Sequence, residues 1–279
     1  MSVRFGLAGI PISSKNKNIV NGLENINQLE LNALEIQLIR DIGQTYREAD
    51  KVKQLANDLN IDLYVHAPYY TNLAGDPEEV DKSMENLKWA GKVAHELGAG
   101  TVCINLGIYG ENTKQVTLDK IIENVKNLKE WYETNGINVK IGLEPSGNQK
   151  VVGSLDEILE ICKQVPGTVP ILNFANIHAR ENGSLKTKQD FENVFAKVGK
   201  VTSSNIFYTH FSGVDHENGN KLIIRPIEKS ELEFEQLSKC ILEHDEYNVT
   251  IISSSPLLEH DAVHMKEVFD RLSKNKLKK

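Results

Sequence analysis

The chain has 279 residues, of which 40% are hydrophobic and 25% are charged, and this balance excludes disordered and fibrous proteins. No run approaches the roughly 18 consecutive apolar residues of a membrane span, and the formal net charge of −7 gives no sign of a general nucleic-acid binder. Three widely separated cysteines and the lack of an N-terminal signal sequence predict a cytoplasmic protein with reduced thiols and no membrane partner.

Strand and helix patterns alternate from one end of the chain to the other. Apolar runs of strand length are predicted at 3–8, 33–38, 61–64, 101–105, 139–144, 169–174, 205–210 and 248–253. Helices are predicted after them at 19–29, 46–59, 77–97, 113–134, 155–165, 187–198, 230–242 and 259–272. Pro77 suits a first helical turn and Gly98 a helix end. Ser154 followed by Glu157 predicts a capping box.

This repeated order predicts the fold class. The strands are too apolar for a sheet with one face in water, which favours a parallel barrel enclosed by helices. An open doubly wound sheet would need a glycine-rich phosphate loop after the first strand, and residues 7–11 do not supply one. No linker divides the chain. We therefore predict one α/β domain over 1–279, a (β/α)8 barrel, as a monomer with a frayed basic end at 274–279.

Polar side chains follow at least six of the predicted strands. In (β/α)8 barrels the site is built from the carboxyl ends of the strands, so these side chains are expected on one face. They are His66, Asn105, Glu144, Asn173, Asn176, His178, His210 and the serines at 253–255. Each alone is also explained as a polar cap on a strand. Imidazole and carboxylate are ligands for zinc and manganese, so His66, Glu144 and His210 together indicate a divalent metal site.

Several motifs, in their order along the chain, resemble the endonuclease IV branch, or family 2 AP endonucleases, of the xylose isomerase-like barrels. Residues 66–73, HAPYYTNL, are similar to the branch's His-x-x-Tyr-x-x-Asn-Leu loop. Residues 141–144, IGLE, resemble its strand-five Glu motif, and 172–180, LNFANIHAR, resemble an archaeal-like version of its Asp-x-x-His segment. Residues 209–213 and 255–262 continue the match. The resemblance implies a xylose isomerase-like TIM barrel over nearly the whole chain.

Members of this branch use a three-zinc cluster to hydrolyse the phosphodiester 5′ of an abasic site in DNA. By resemblance, His66, Glu144 and His210 stand at metal-ligand positions, and Glu144 is also the candidate catalytic residue. The other ligand positions, which are His, Asp, His and Glu in the branch, read Asn105, Asn173, Asn176 and Ser254. The branch's Asp-x-His pair aligns with 222–224, where no ligand remains. Because amides and hydroxyls are weak ligands, the resemblance implies at most one zinc or manganese ion.

Five residues are expected to contact a substrate at the same end of the barrel. Tyr69 stands where the branch has an aromatic near the DNA, although a tyrosine that only packs the loop fits equally well. Asn72 belongs to the same motif. His178 and Arg180 follow strand six and would place positive charge near a phosphate. Arg40 follows strand two, where it could position a phosphate or simply be solvated.

Three functions stay open on this basis. The first is a metal-dependent DNA-repair hydrolase whose degraded metal centre leaves weak or absent nuclease activity. The second is a catalytically silent pseudoenzyme that binds DNA, a small phosphorylated or sugar ligand, or a protein in the same cleft. The third is a sugar isomerase or epimerase, whose Glu–Asp–His–Glu set would read Glu144, Asn173, His210 and Ser254. The sequence leaves open whether the protein is an enzyme, and the substitutions favour the second function.

Overall fold

The computed structural model describes residues 1–39 and 46–277. Within them, eight parallel strands close into a barrel. The ring closes because the first strand pairs with both the second and the last. The barrel strands are β1 (Ser2–Ala8), β2 (Ala33–Gln37), β3 (Asp62–His66), β4 (Thr101–Ile104), β5 (Lys140–Leu143), β6 (Val169–Asn173), β7 (Ile206–Phe211) and β10 (Asn248–Ser253). The predicted (β/α)8 barrel is confirmed.

Helices lie between successive strands and cover the barrel. They are α1 (Ile19–Gln28), α2 (Ala49–Asp58), α3 (Pro77–Leu97), α4 (Lys114–Thr134), α5 (Leu155–Gln164), α6 (Phe174–Arg180), α7 (Lys188–Thr202), α8 (Phe234–Leu242) and α9 (Glu259–Leu277). Asp76 caps α3 ahead of Pro77. Ser154 and Glu157 form the predicted capping box at α5. No helix in the described part of the chain is long and apolar enough to cross a membrane.

The last helix is longer than the sequence predicts. It continues to Leu277, whereas a frayed end is predicted from residue 274. Lys276 Nζ donates to the carbonyl oxygen of Leu242, which ties this turn to the end of α8. Residues 278–279 lie outside the described residues.

The inside of the barrel holds an apolar layer of its own. Its buried members are Ala33, Cys103, Ile171, Tyr208 and Ile252. The Tyr208 ring stacks on Tyr64, with ring centroids 4.1 Å apart. A larger apolar cluster fills the space between the strands and the helices. The inner layer is the floor above which the polar residues of the strand ends lie.

A β-hairpin follows β7 in a stretch for which no strand is predicted. Its strands β8 (Gly213–Glu217) and β9 (Asn220–Arg225) pair antiparallel. The turn is made by Asn218 and Gly219, whose φ angles are 50° and 73°. Asn-Gly is favoured in two-residue hairpin turns because both positions need a positive φ. The hairpin brings Lys221 to the mouth of the barrel.

One carboxylate ties the loop after β1 to the start of α9. Glu259 accepts hydrogen bonds from the backbone N–H groups of Ile12 at 2.8 Å and Ser13 at 2.7 Å. Burial alone would raise the pKa of Glu259, but these bonds hold it below its usual value. A carboxyl with a lowered folded-state pKa stabilises the fold above its unfolded pKa, and this contribution is lost as the pH falls through the folded pKa.

Glu259→Gln should therefore lower the free energy of unfolding near pH 7 by about 1–2 kcal/mol, because the amide loses the charge-assisted bonds. The deficit should shrink as the pH falls below the ordinary glutamate pKa of about 4.3 and vanish only below the lowered pKa of the folded state. Urea denaturation at neutral and at acidic pH measures both effects. Glu111→Gln, at an exposed position, serves as the control and should leave the free energy of unfolding unchanged at both pH values. A loss of unfolding free energy of the same size at both pH values would contradict the link between stability and the ionisation of Glu259.

Candidate functional site

The carboxyl ends of the barrel strands enclose a polar cavity of about 300 Å³. Its wall includes Glu35, His66, Glu144, Asn173, Asn176, His210, Ser212, Lys221 and Ser254. Asn105 lies beside the cavity, where its side chain bonds to Glu144. Residues predicted at the ends of five strands and Asn105 thus come together at one end of the barrel, where sites of such barrels are built.

Glu144 is the centre of the hydrogen-bond network. Its Oε1 accepts from Asn173 Nδ2 at 2.8 Å and faces His210 Nδ1 at 2.9 Å. Its Oε2 accepts from Asn105 Nδ2 at 3.1 Å and faces His66 Nε2 at 3.3 Å. Burial alone would raise the pKa of Glu144, but the hydrogen bonds with His210 and His66 hold it well below its usual range. Because each oxygen already has two partners, the carboxylate is poorly placed to take a proton from a ligand.

Asn173 is oriented as a donor toward Glu144. Its Oδ1 accepts the backbone N–H of Asn176 at 3.0 Å as the cap of α6, which turns Nδ2 toward the carboxylate. Asn176 is held at both ends of its amide. Its Nδ2 donates to the carbonyl oxygen of Pro145 at 2.8 Å, and its Oδ1 accepts from Lys221 Nζ at 2.7 Å. The oxygen of each of these two amides already accepts one hydrogen bond, which makes it less available to a metal ion.

His210 lies between two carboxylates. Its Nδ1 faces Glu144, and its Nε2 faces Glu35 Oε2 at 2.8 Å. Glu35 also accepts from the Tyr208 hydroxyl and from Gln37 Nε2, the latter at 2.6 Å. Burial alone would lower the pKa of His210, but Glu35 and Glu144 raise it to about 10. At neutral pH the ring is an imidazolium that donates to one carboxylate from each nitrogen.

Glu35 and Lys221 lie in the cavity wall, although neither is predicted as a site residue from the sequence. Glu35 is buried within the strand ALEIQ, and a carboxylate inside an apolar strand is a signal that it has a buried partner. The signal for Lys221 is the Asn-Gly turn two residues before it, which predicts the hairpin that carries it.

The His66 side of Glu144 fits a divalent metal ion. His66 Nδ1 donates to the carbonyl oxygen of Ala67 at 2.7 Å, and metal-binding histidines commonly anchor their outer nitrogen in this way. The separation of 3.3 Å between His66 Nε2 and Glu144 Oε2 is longer than a charge-assisted hydrogen bond of about 2.7–2.9 Å. It matches the roughly 3.3 Å between two ligand atoms that are each about 2.0–2.1 Å from a tetrahedral zinc ion.

The His210 side of Glu144 offers a metal ion less, because both nitrogens of the His210 ring face carboxylates, whereas only one nitrogen of His66 does. These residues therefore fit one ion, which His66 and Glu144 would hold. Such an ion would act as a Lewis acid that polarises a ligand oxygen. That His210 is a further ligand of the same ion remains a prediction.

A family comparison identifies the kind of barrel. A family model described as xylose isomerase-like TIM barrel matches residues 23–275. The chain belongs to the xylose isomerase-like TIM barrel family. An uncharacterized protein of Methanocaldococcus jannaschii is 28% identical over 272 residues, which cover 96% of this chain and 97% of that protein.

Solved structures similar to this xylose isomerase-like barrel belong to proteins of different activities. Endonuclease IV from Thermus thermophilus has a TM-score of 0.74 at 16% identity, covering 96% of this chain and 99% of its own. A D-tagatose 3-epimerase-like protein has a TM-score of 0.73 at 22% identity, covering 98% and 99%. An IolI protein with a bound zinc atom has a TM-score of 0.71 at 14% identity, covering 97% and 98%. At these identities the likeness shows the fold alone.

The loop after β3 of the xylose isomerase-like barrel places its predicted substrate residues outside the cavity wall. Tyr69 and its neighbour Tyr70 are 64% and 59% exposed, and their rings pack edge to face. Asn72 donates to Glu79 Oε2 at 3.2 Å and so helps to shape the loop. Arg40 lies outside the described residues.

His178 and Arg180, on the short helix α6, are buried and bonded to the protein. His178 Nδ1 accepts the backbone N–H of Leu185 at 3.1 Å, so Nε2 carries the proton and donates to Glu231 Oε1 at 3.2 Å. Arg180 donates to three backbone carbonyl oxygens of the loop after β5, at 2.6–3.1 Å. Both side chains support loops in this structure, and their predicted contacts with a substrate stay predictions.

Proposed function

We propose that this protein binds a small polyhydroxylated ligand with an anionic group, of the sugar phosphate class, in the cavity beside Glu144, and that its nuclease activity is weak or absent. The observation that carries the proposal is the Lys221 ammonium group in the wall of a small polar cavity whose carboxylates already have partners. The proposed function is therefore ligand binding at the carboxyl ends of the strands, where barrels of this kind have their active sites.

The size and polarity of the cavity support such a ligand. Its volume of about 300 Å³ is at the lower end of the usual range for small-molecule sites, about 300–1,000 Å³. Gln37, Ser212 and Ser254 line it with groups that hydrogen-bond to hydroxyls. The buried Ser212 hydroxyl has no hydrogen-bond partner within residues 1–39 and 46–277. A bound hydroxyl group would satisfy it.

Lys221 supplies the cation for an anionic group of the ligand. Its Nζ donates to Asn176 Oδ1 at 2.7 Å, and an ammonium group has two further N–H bonds to give. Burial lowers the pKa of Lys221, and Glu144 partly offsets this effect. A phosphate or carboxylate beside Nζ would favour the charged ammonium and form charge-assisted hydrogen bonds with it.

The network supports binding over proton transfer by a carboxylate. A general base must present a free lone pair to the proton that it removes. The oxygens of Glu144 and Glu35 already face donor groups, among them both nitrogens of the His210 imidazolium. In the proposed function these groups fix the shape and charge of the site, and Lys221 binds the anionic end of the ligand.

Lys221→Met should weaken the binding of ribose 5-phosphate by about tenfold or more, because a hydrogen bond to a charged group contributes about 1.5–3 kcal/mol. Binding of unphosphorylated ribose, which should be weaker in the wild type, should not change. Isothermal titration calorimetry with both sugars measures the difference. The matched control is Lys229→Met, an exposed lysine after the same hairpin, which should bind both sugars as the wild type does. Equal affinities of the wild type for the two sugars, or no binding of either, would contradict the proposal.

A phosphodiesterase that acts on abasic DNA is the second candidate function. The exposed Tyr69 and Tyr70 rings favour it, since exposed aromatic faces can stack on bases. Efficient cleavage of an abasic duplex by the purified protein, abolished in His66→Ala and retained in Lys229→Met, would support this function in place of the first.

A further inference from the structure

We infer that Cys103 is a thiolate ligand in a mixed zinc site with His66 and Glu144. The ligand atoms of these three buried residues all lie within 4.8 Å of one another. None of the metal residues predicted from the sequence contains a sulfur atom, and Cys103 is one of the three cysteines that are predicted there only as reduced thiols. The inference concerns the floor of the cavity and does not depend on which ligand the cavity binds.

The strand register explains why Cys103 meets the other two residues. Cys103 on β4 is the Cα partner of His66 on β3, so the two side chains leave neighbouring parallel strands at the same height. Asn105 follows Cys103 by two residues and therefore points to the same face of the sheet, one layer nearer the cavity. Asn105 bonds to Glu144 Oε2, the oxygen that also faces His66. The thiol thus lies on the metal-compatible side of Glu144.

The spacing suits one ion. His66 Nε2 and Glu144 Oε2 already have the separation of two ligands of a tetrahedral zinc ion. A sulfur ligand at about 2.3 Å and a nitrogen ligand at about 2.0–2.1 Å from such an ion are roughly 3.6 Å apart. The ligand atoms lie within 4.8 Å of one another, so an ion would need to draw the thiol and the imidazole together by no more than about 1 Å. Binding converts the thiol to a thiolate and releases its proton to the solvent.

The surroundings favour zinc over manganese. A thiolate is a soft ligand, which zinc accepts and which manganese does not prefer. The thiol belongs to the apolar layer that also contains Ile171, Tyr208 and Ile252, and such a shell limits solvent access to the ion. Three protein ligands leave one position for a group from the cavity, which is typical of catalytic rather than structural zinc sites.

Cobalt(II) is the probe that tests this inference, because a thiolate–cobalt bond produces a charge-transfer band in the near ultraviolet. We expect the metal-free wild type to bind about one equivalent of zinc or cobalt and the cobalt form to show this band. Cys103→Ala should abolish the band and weaken cobalt binding by more than about tenfold, since even changes outside the ligands of a metal site cost about 10- to 100-fold. Cys162→Ala, which removes another buried cysteine, should keep both the band and the affinity.

The wild-type spectrum decides the question even if Cys103→Ala does not fold, which circular dichroism would reveal. Cobalt bound without a thiolate band would overturn the inference, as would a wild type that binds no metal. An unchanged cobalt affinity in a folded Cys103→Ala would overturn it as well. The cobalt spectrum and the cobalt affinity are measured without ribose 5-phosphate. The metal site can therefore be disproved without disproving the proposed ligand binding, and the reverse is also true.

Discussion

Glu144→Gln should lower the free energy of unfolding by about 3–5 kcal/mol, the cost expected when one partner of a buried charge pair is removed. The wild-type carboxylate accepts from Asn105 and Asn173 and lies against His66 and His210. The amide of glutamine turns an NH₂ group toward one pair of these donors, so buried N–H groups lose their acceptor. Urea denaturation at neutral pH, without added metal, measures the loss.

The control for this prediction is Glu111→Gln, an exposed position, where a change within about 0.5 kcal/mol is expected. A loss of under about 1 kcal/mol in Glu144→Gln would show that the network around the carboxylate contributes little to stability. In that case the description of Glu144 as the centre of the hydrogen-bond network would be wrong.

Asn173→Asp should make the stability of the protein depend more strongly on zinc than it does in the wild type. The new carboxylate would still cap α6, but its other oxygen would face Glu144 Oε1 at the position where Nδ2 now donates at 2.8 Å. Two carboxylates so close cannot both stay ionised without a cation or a shared proton. We expect the metal-free variant to lose about 1–3 kcal/mol, the usual cost of an unsatisfied buried group.

Zinc should restore this loss, because the second carboxylate supplies an anionic ligand on the side of Glu144 that now lacks one. A zinc concentration 100 times the dissociation constant would stabilise the variant by about 2.7 kcal/mol. Thermal unfolding with and without zinc measures the effect, and the rise in midpoint should be larger than in the wild type. Asn193→Asp, at an exposed position, should behave as the wild type. A metal-free Asn173→Asp variant that is as stable as the wild type would contradict the expectation.

The backbone of the barrel follows from local signals. Apolar runs and capping residues predict the strands and the main helices, because both depend on residues that are close in sequence. The rule that strand ends meet also predicts the cluster of His66, Glu144, Asn173 and His210 before any distance is known. The same rule places His178 and Arg180 near the site, but the turn of α6 directs both side chains into the protein.

The roles of the polar residues follow from contacts between distant parts of the chain. Glu35 and His210 are 175 residues apart, and the charge of Glu35 is the largest of the effects that raise the pKa of the His210 ring. The orientation of the Asn173 amide depends on a hydrogen bond from a backbone N–H of α6. The spacing of residues in the sequence does not predict this hydrogen bond. Lys221 reaches the cavity only because the hairpin folds over the barrel mouth.

By itself, the sequence determined the barrel and the end of the barrel at which the polar residues gather, because strand periodicity and helix caps are local properties. Only the tertiary structure decided which groups face each oxygen of Glu144, which side fits an ion better, and that Cys103 lies beside His66. These features depend on interatomic distances and on burial, which set the charge of each group and exist only once all the strands have closed into the barrel.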